Sequence, residues 1–130
     1  MSASTNHAAV LGPGRMGRQI ALAFALGGSR VFLVDAKDRP AGGAAAVFAD
    51  ARREIRRDLA LMAEEGVIAA AEIAPALDRI EERIGLDGLD GCGFVQEALP
   101  ELVDLKRDVL GRVSVRVAPC LLYTSDAADE

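Results

Sequence analysis

Apolar residues along this chain recur with two periods, and the alternation between them predicts the architecture. Ala8–Leu11 is a short apolar run that stops at Gly12 and reads as a strand. In the segment Arg15–Leu26 the apolar positions Met16, Ile20, Ala23 and Phe24 are spaced by four, three and one, which is one face of a helix, and Gly27-Gly28 stops it. Val31–Val34 is apolar throughout, as expected of a strand covered on both faces, and it ends at Asp35. Arg39-Pro40 and Gly42-Gly43 mark a loop. A long helix is then predicted over Ala44–Glu65, with Val47, Ala51, Ile55, Leu59 and Met62 on one side and Asp50, Arg53, Glu54, Arg57 and Asp58 outside that stripe.

A shorter helix is expected over Ala69–Leu77, limited by Pro75. A third strand lies within Arg79–Ile84, and its charge makes it an edge candidate. Leu86–Leu89 reads as one helical turn, Gly93–Gln96 as a fourth strand, and Pro100 opens a last helix over Glu101–Val113. Strands alternating with helices argue for an α/β fold with a parallel sheet and helical crossovers.

Composition narrows the functions. The chain has 130 residues, one domain or a piece of one, with 51% apolar residues but only 4% aromatic, so the core is built from Ala, Val, Leu and Ile. The formal charge of −5 argues against a nucleic-acid partner and against an anionic membrane surface. No apolar run reaches the roughly 18 residues of a membrane span. The start, Met1–Asn6, lacks the pattern of a signal peptide. Cys92 and Cys120 have no metal-like spacing and read as reduced thiols, which with the rest points to a cytoplasmic protein.

The chemistry concentrates in three places. Gly12-Pro13-Gly14-Arg15-Met16-Gly17 is a G-x-G-x-x-G run that follows a strand and opens a helix. In such a turn Gly12 permits the tight bend, Gly14 lets a pyrophosphate approach the backbone, and Gly17 allows close helix packing. Pro13 removes one N–H there, so the donors to phosphate are expected from Arg15 and Met16. Asp35, 18 positions after Gly17, is placed to accept hydrogen bonds from an adenosine ribose and to repel a 2′-phosphate. That predicts NAD over NADP, although Lys37 and Arg39 nearby are cations able to accommodate such a phosphate. The third place is Glu97–Glu101 followed by Lys106, at the carboxyl end of strand four. If the strand order is 3-2-1-4, this is the switch point where ligands lie. From the residues alone, Glu101 and Lys106 suit either a solvated helix face or a reach to the nicotinamide-side ribose.

These segments carry a resemblance. Gly12–Gly17 with Met16, Gln19-Ile20-Ala21 and Val31–Asp35, then Phe94–Glu101 and Leu105-Lys106-Arg107, resemble the amino-terminal part of the 3-hydroxyacyl-CoA dehydrogenase family, in order, over roughly Ala8 to Val113. The resemblance implies a Rossmann-type, doubly wound parallel sheet of order 3-2-1-4, incomplete in this chain. It also implies that Asp35 binds the adenosine ribose of NAD and that Glu101 and Lys106 contact the cofactor near the nicotinamide ribose. Ala36–Asp78 occupies the place of the family's helical excursion, which helps hold acyl-CoA and separates it from the related 3-hydroxyisobutyrate and 6-phosphogluconate dehydrogenases. Gln96 is similar to the lambda-crystallin and gulonate dehydrogenase branch. The family's catalytic His, paired with a Glu, and the helical domain through which it dimerises fall beyond Glu130, so the chain alone is expected to bind NAD weakly and to catalyse nothing.

Some features stand outside that pattern. Arg52, Arg53, Arg56 and Arg57 suit either the phosphates of CoA or a solvated face with local pairs such as Asp50 with Arg53 and Glu54 with Arg57. His7, the single histidine, precedes strand one and is not expected to be catalytic. Residues 1–119 are expected to form the cofactor domain, and 120–130 a tail, artefactual or disordered, that resembles a translated sequencing adapter. The alternative for the tail is a short strand at Leu121–Tyr123. Two other functional classes stay open: a non-catalytic NAD-binding or redox-sensing module, and a crystallin-like structural relative.

Overall fold

Five strands form the sheet: β1 (His7–Leu11), β2 (Arg30–Asp35), β3 (Ile80–Ile84), β4 (Phe94–Glu97) and β5 (Leu121–Thr124). The computed structural model describes residues 7–37, 39–86, 89, 92–98 and 121–124. The strand order is β3-β2-β1-β4-β5, and every neighbouring pair is parallel. This is the predicted α/β sheet of order 3-2-1-4, with one strand added beyond β4. Leu121–Thr124 stand as a strand in register with Phe94–Glu97, at the place of the short strand that was the alternative for the tail. Leu, Tyr and Thr have good strand propensity, and they pair with the edge that β4 would otherwise expose.

Parallel neighbours need crossovers, and the apolar periods supply them. Helix α1 (Arg15–Leu26) joins β1 to β2; α2 (Gly43–Glu64), a 3-10 turn at Ala70–Glu72 and α3 (Ile73–Asp78) join β2 to β3. The predicted helix over Ala69–Leu77 is thus divided in two, with Pro75 in the first turn of α3, where no intrahelical donor is lost. The Glu72 carboxylate holds the preceding turn by accepting the Ala69 N–H at 2.7 Å. The expected helix at Glu101–Val113 lies outside the described residues.

Alternate strand positions feed two cores. Ala8, Val10, Val31 and Leu33 face the helices and meet Ala21, Leu22 and Ala25 of α1 and Phe48, Ala51, Ile55 and Leu59 of α2. Ala9, Leu11, Phe32, Val34 and Val95 face the other way and are covered by Leu86, Leu89 and Cys92. The predicted stripe of α2 is in place, although Val47 and Met62 at its ends are only half-buried.

The apolar face read for α1 is turned differently. Gly17, Ala21, Leu22 and Ala25 go to the sheet, while Met16, Ile20, Ala23 and Phe24 line an outward groove of about 460 Å³. Ile20 and Phe24 still reach the margin of the helix-side core, where the Phe24 ring lies 5.4 Å from that of Phe94 on β4. β3 is the edge strand that its charge predicted. Glu81 pairs with Arg30 and Arg83, and Glu82 with Arg52, so charged side chains guard the edge.

Candidate functional site

The site forms where β1 and β2 end. Gly12 leaves β1 with φ of 110°, a left-handed conformation that suits glycine, and its N–H donates to Val34 O at 2.8 Å. That bond ties the turn to β2. Helix α1 starts two residues after Pro13, and its first internal bond runs from the Arg18 N–H to Gly14 O at 3.0 Å. The N–H groups of Arg15, Met16 and Gly17 precede that bond, at the positive end of the helix.

The glycines of the motif divide the work. A Cβ on Gly17 would stand 1.7 Å from Gly12 O and 2.9 Å from Gly12 C, so the helix start is pressed against the turn itself. The close approach predicted for Gly17 is therefore first to the loop; the nearest sheet atom, Val10 Cγ1, is 3.5 Å from that Cβ position. A Cβ on Gly14 would meet nothing within 4 Å. Gly14 instead borders a cavity of about 390 Å³, also lined by Gly12, Arg15, Met16 and Asp35. Five of the predicted residues thus share one cavity wall, with Gly17 buried beneath it. Glu101 and Lys106 lie outside the described residues.

Asp35 ends β2 and is 1% exposed. Its carboxylate is forked by Arg39, with Nε donating to Oδ2 at 2.5 Å and Nη2 to Oδ1 at 3.1 Å. A buried carboxylate needs such pairing. The stem of Arg39 lies against the start of α2: a Cβ on Gly43 would be 3.0 Å from Arg39 Cβ. Arg18, whose part the sequence did not reveal, grips the turn from the side. Its Nε donates to Pro13 O at 2.9 Å, and its Nη1 donates to Glu54 Oε2 on α2. Glu54 therefore serves the turn rather than its expected neighbour Arg57, and Asp58 accepts from Gln19 Nε2 at 2.7 Å. Asp50 and Arg53 do form the expected local pair, at 2.7 Å.

Among the described residues, Arg15, Arg18, Lys37 and Arg39 line the cavity, with the carboxylate of Asp35. The cavity is cationic in a chain whose overall charge is −5. Helix-start N–H groups and cations favour an anionic group such as a phosphate, and a strand-end carboxylate accepts hydroxyl donors. A dinucleotide fits both demands, and the open backbone at Gly14 leaves room for its pyrophosphate. Glu97, at the end of β4, is also fully buried and is level with Leu11 of β1, on the opposite side of β1 from Asp35. His7 stands at the far end of β1, about 13 Å from the turn by strand rise, and packs edge-on against Phe32. Among the described residues, no helix is long and apolar enough to cross a membrane.

Known proteins share this arrangement. The family model for the NAD-binding domain of 3-hydroxyacyl-CoA dehydrogenase matches residues 7–128. Lambda-crystallin of Oryctolagus cuniculus is 27% identical over 127 residues, which is 92% of this chain and 36% of that protein. The structure of (S)-3-hydroxybutyryl-CoA dehydrogenase PaaH1 from Ralstonia eutropha is similar with a TM-score of 0.80 and 26% identity, over 92% of this chain and 40% of that one. The 3-hydroxybutyryl-CoA dehydrogenase of Escherichia coli has a TM-score of 0.79 and 26% identity, over 91% of this chain and 24% of that one. The chain thus spans well under half the length of these relatives.

Proposed function

The chain belongs to the family of the 3-hydroxyacyl-CoA dehydrogenase NAD-binding domain, and from that premise we propose that it is the cofactor platform of an enzyme that oxidises a 3-hydroxyacyl-CoA to the 3-oxoacyl-CoA, as in fatty acid metabolism. NAD⁺ supplies the hydride acceptor when bound. The residues assigned to hold it are Gly12, Gly14, Arg15, Met16, Gly17 and Asp35, with Glu101 and Lys106 toward the nicotinamide. The observation that carries the reading is the meeting of the glycine turn, the start of α1 and the Asp35 carboxylate at one cationic cavity. The turn and helix start receive the pyrophosphate; Asp35 receives the adenosine ribose. The proton from the substrate hydroxyl goes to a base outside this chain, so residues 1–130 alone turn nothing over. In this reading residues 1–119 are the cofactor domain, acyl-CoA is the partner of the whole enzyme, and dimerisation belongs to a further domain.

The likeness to lambda-crystallin supports a second reading, a structural relative that keeps the fold without turnover. The gene separates the two. Sequencing the source DNA from the codon for Val117 through that for Glu130 and onward is expected to give an open frame leading to a His-bearing segment. The product of that frame should reduce NAD⁺ when given a 3-hydroxyacyl-CoA. A stop codon directly after Glu130, or a full product that binds NAD⁺ but oxidises no hydroxyacyl-CoA, would overturn the dehydrogenase reading.

A further inference from the structure

The pairing of Arg39 with Asp35 bears on which cofactor the cavity accepts. Both carboxylate oxygens of Asp35 accept from one guanidinium, and the carboxylate is almost fully covered, so a ribose diol that bonds there shares those oxygens with Arg39, which shifts to make room. Arg39 does not leave the site when it does so. Its stem is held against Gly43 at the start of α2, and its side chain is 25% exposed, facing the same cavity as Lys37. A guanidinium freed there sits beside the ribose hydroxyls. Its planar fork matches a phosphate as well as it matches a carboxylate.

We propose that Arg39 is a specificity-determining residue, and that by moving from Asp35 to a 2′-phosphate it lets this site take NADP⁺ as well as NAD⁺. The inference deepens the cofactor reading above and rests on it. Asp35 alone would exclude the added dianion by repulsion. Arg39 supplies the opposite charge at the same place, and Arg15 and Lys37 line the same cavity, so the repulsion is offset. With NAD⁺ bound, Arg39 has no such anion to meet. The two cofactors therefore end closer in affinity than a lone strand-end carboxylate would leave them.

The test is calorimetric titration of the 130-residue chain with NAD⁺ and with NADP⁺, as wild type, Arg39→Ala and Asp35→Asn, each checked for fold by circular dichroism. In the wild type the two dissociation constants should lie within about tenfold. Arg39→Ala should weaken NADP⁺ by about ten- to a hundredfold, the worth of one hydrogen bond to a charged group, and leave NAD⁺ no weaker. Asp35→Asn should shift preference toward NADP⁺; if Arg39→Ala does not fold, Arg39→Gln, which keeps most of the stem and removes the charge, should show the same selective loss of NADP⁺ and decides the matter. An unchanged ratio in either folded variant, or equal weakening of both cofactors by Arg39→Ala, overturns the proposal. Failure of the wild type to bind NAD⁺ at all would instead overturn the cofactor reading from which it starts.

Discussion

Alanine at Gly17 and alanine at Gly14 should fail in opposite ways, although they are three residues apart in one motif. At Gly17 the new Cβ would sit 1.7 Å from Gly12 O and 2.9 Å from Gly12 C, both backbone atoms. Gly12 has little freedom to retreat, since its φ is 110° and its N–H is bonded to Val34 O at 2.8 Å. Overpacking of this kind typically costs about 1–3 kcal/mol, and a clash with fixed backbone belongs at the upper end. For a chain of this size, 2–3 kcal/mol corresponds to a fall of roughly 8–12 °C in Tm. At Gly14 the Cβ meets nothing within 4 Å and the backbone is extended with φ of −76°, so the cost is only that of Ala as a poorer N-cap of α1, and Tm should fall by about 4 °C at most. The same Cβ would project into the cavity where the pyrophosphate must approach, and NAD⁺ affinity should fall at least about tenfold. Thermal unfolding by circular dichroism and calorimetric titration read the two effects separately. A Gly17→Ala chain melting within 2 °C of wild type, on the same principle about 0.5 kcal/mol, would refute the close-packing argument. A Gly14→Ala chain that binds NAD⁺ like wild type would refute the placement of the pyrophosphate.

Three further outcomes are expected. Asp35→Ala should weaken NAD⁺ by about ten- to a hundredfold, from the loss of charged hydrogen bonds to the ribose, while adding little to the affinity of inorganic pyrophosphate; titration with both ligands checks it. Arg18→Ala removes the hold on Pro13 O and the pair with Glu54, which is partly exposed, and should lower stability by about 1–2 kcal/mol, with Glu54→Gln losing less; urea unfolding of the three chains gives the order. Arg53→Ala with Arg57→Ala should leave acyl-CoA affinity in the complete enzyme unchanged, because Arg53 pairs with Asp50 on a solvated face; calorimetric titration with acyl-CoA checks it, and a weaker affinity would put these side chains on the CoA phosphates.

Local rules carried most of the fold. The turn at Gly12–Gly17 was legible because Gly12 takes a positive φ, Gly17 has no room for a Cβ and Gly14 leaves the cavity open, and the strand-end position of Asp35 follows from the apolar run before it. The charged third strand was legible as an edge for the same local reason. The orientation of α1 was not, because Met16, Ile20 and Phe24 make the stronger periodic signal, whereas the sheet takes Leu22 with the small residues Gly17, Ala21 and Ala25. Which stripe faces inward depends on how near the helix comes to the sheet, and that is a tertiary quantity. The grips of Arg18 on Glu54 and of Arg39 on Asp35 are of the same kind. The first joins residues 36 positions apart and exists only once α2 docks beside α1. The second is close in sequence but depends on the bend that brings the chain back along the end of β2. At Leu121–Thr124 the unusual composition of the tail outweighed a four-residue strand signal that only β4 makes visible as a ladder.

The central claim is that the glycine turn and Asp35 together receive NAD⁺. The most direct test is an amide-resolved nuclear magnetic resonance titration of the 130-residue chain with NAD⁺, which also detects weak binding. The account predicts saturable shifts concentrated at the amides of Gly12, Gly14–Arg18 and Asp35–Lys37. Shifts that do not saturate, or that gather on the outward groove of α1 at Ile20, Ala23 and Phe24, would contradict it.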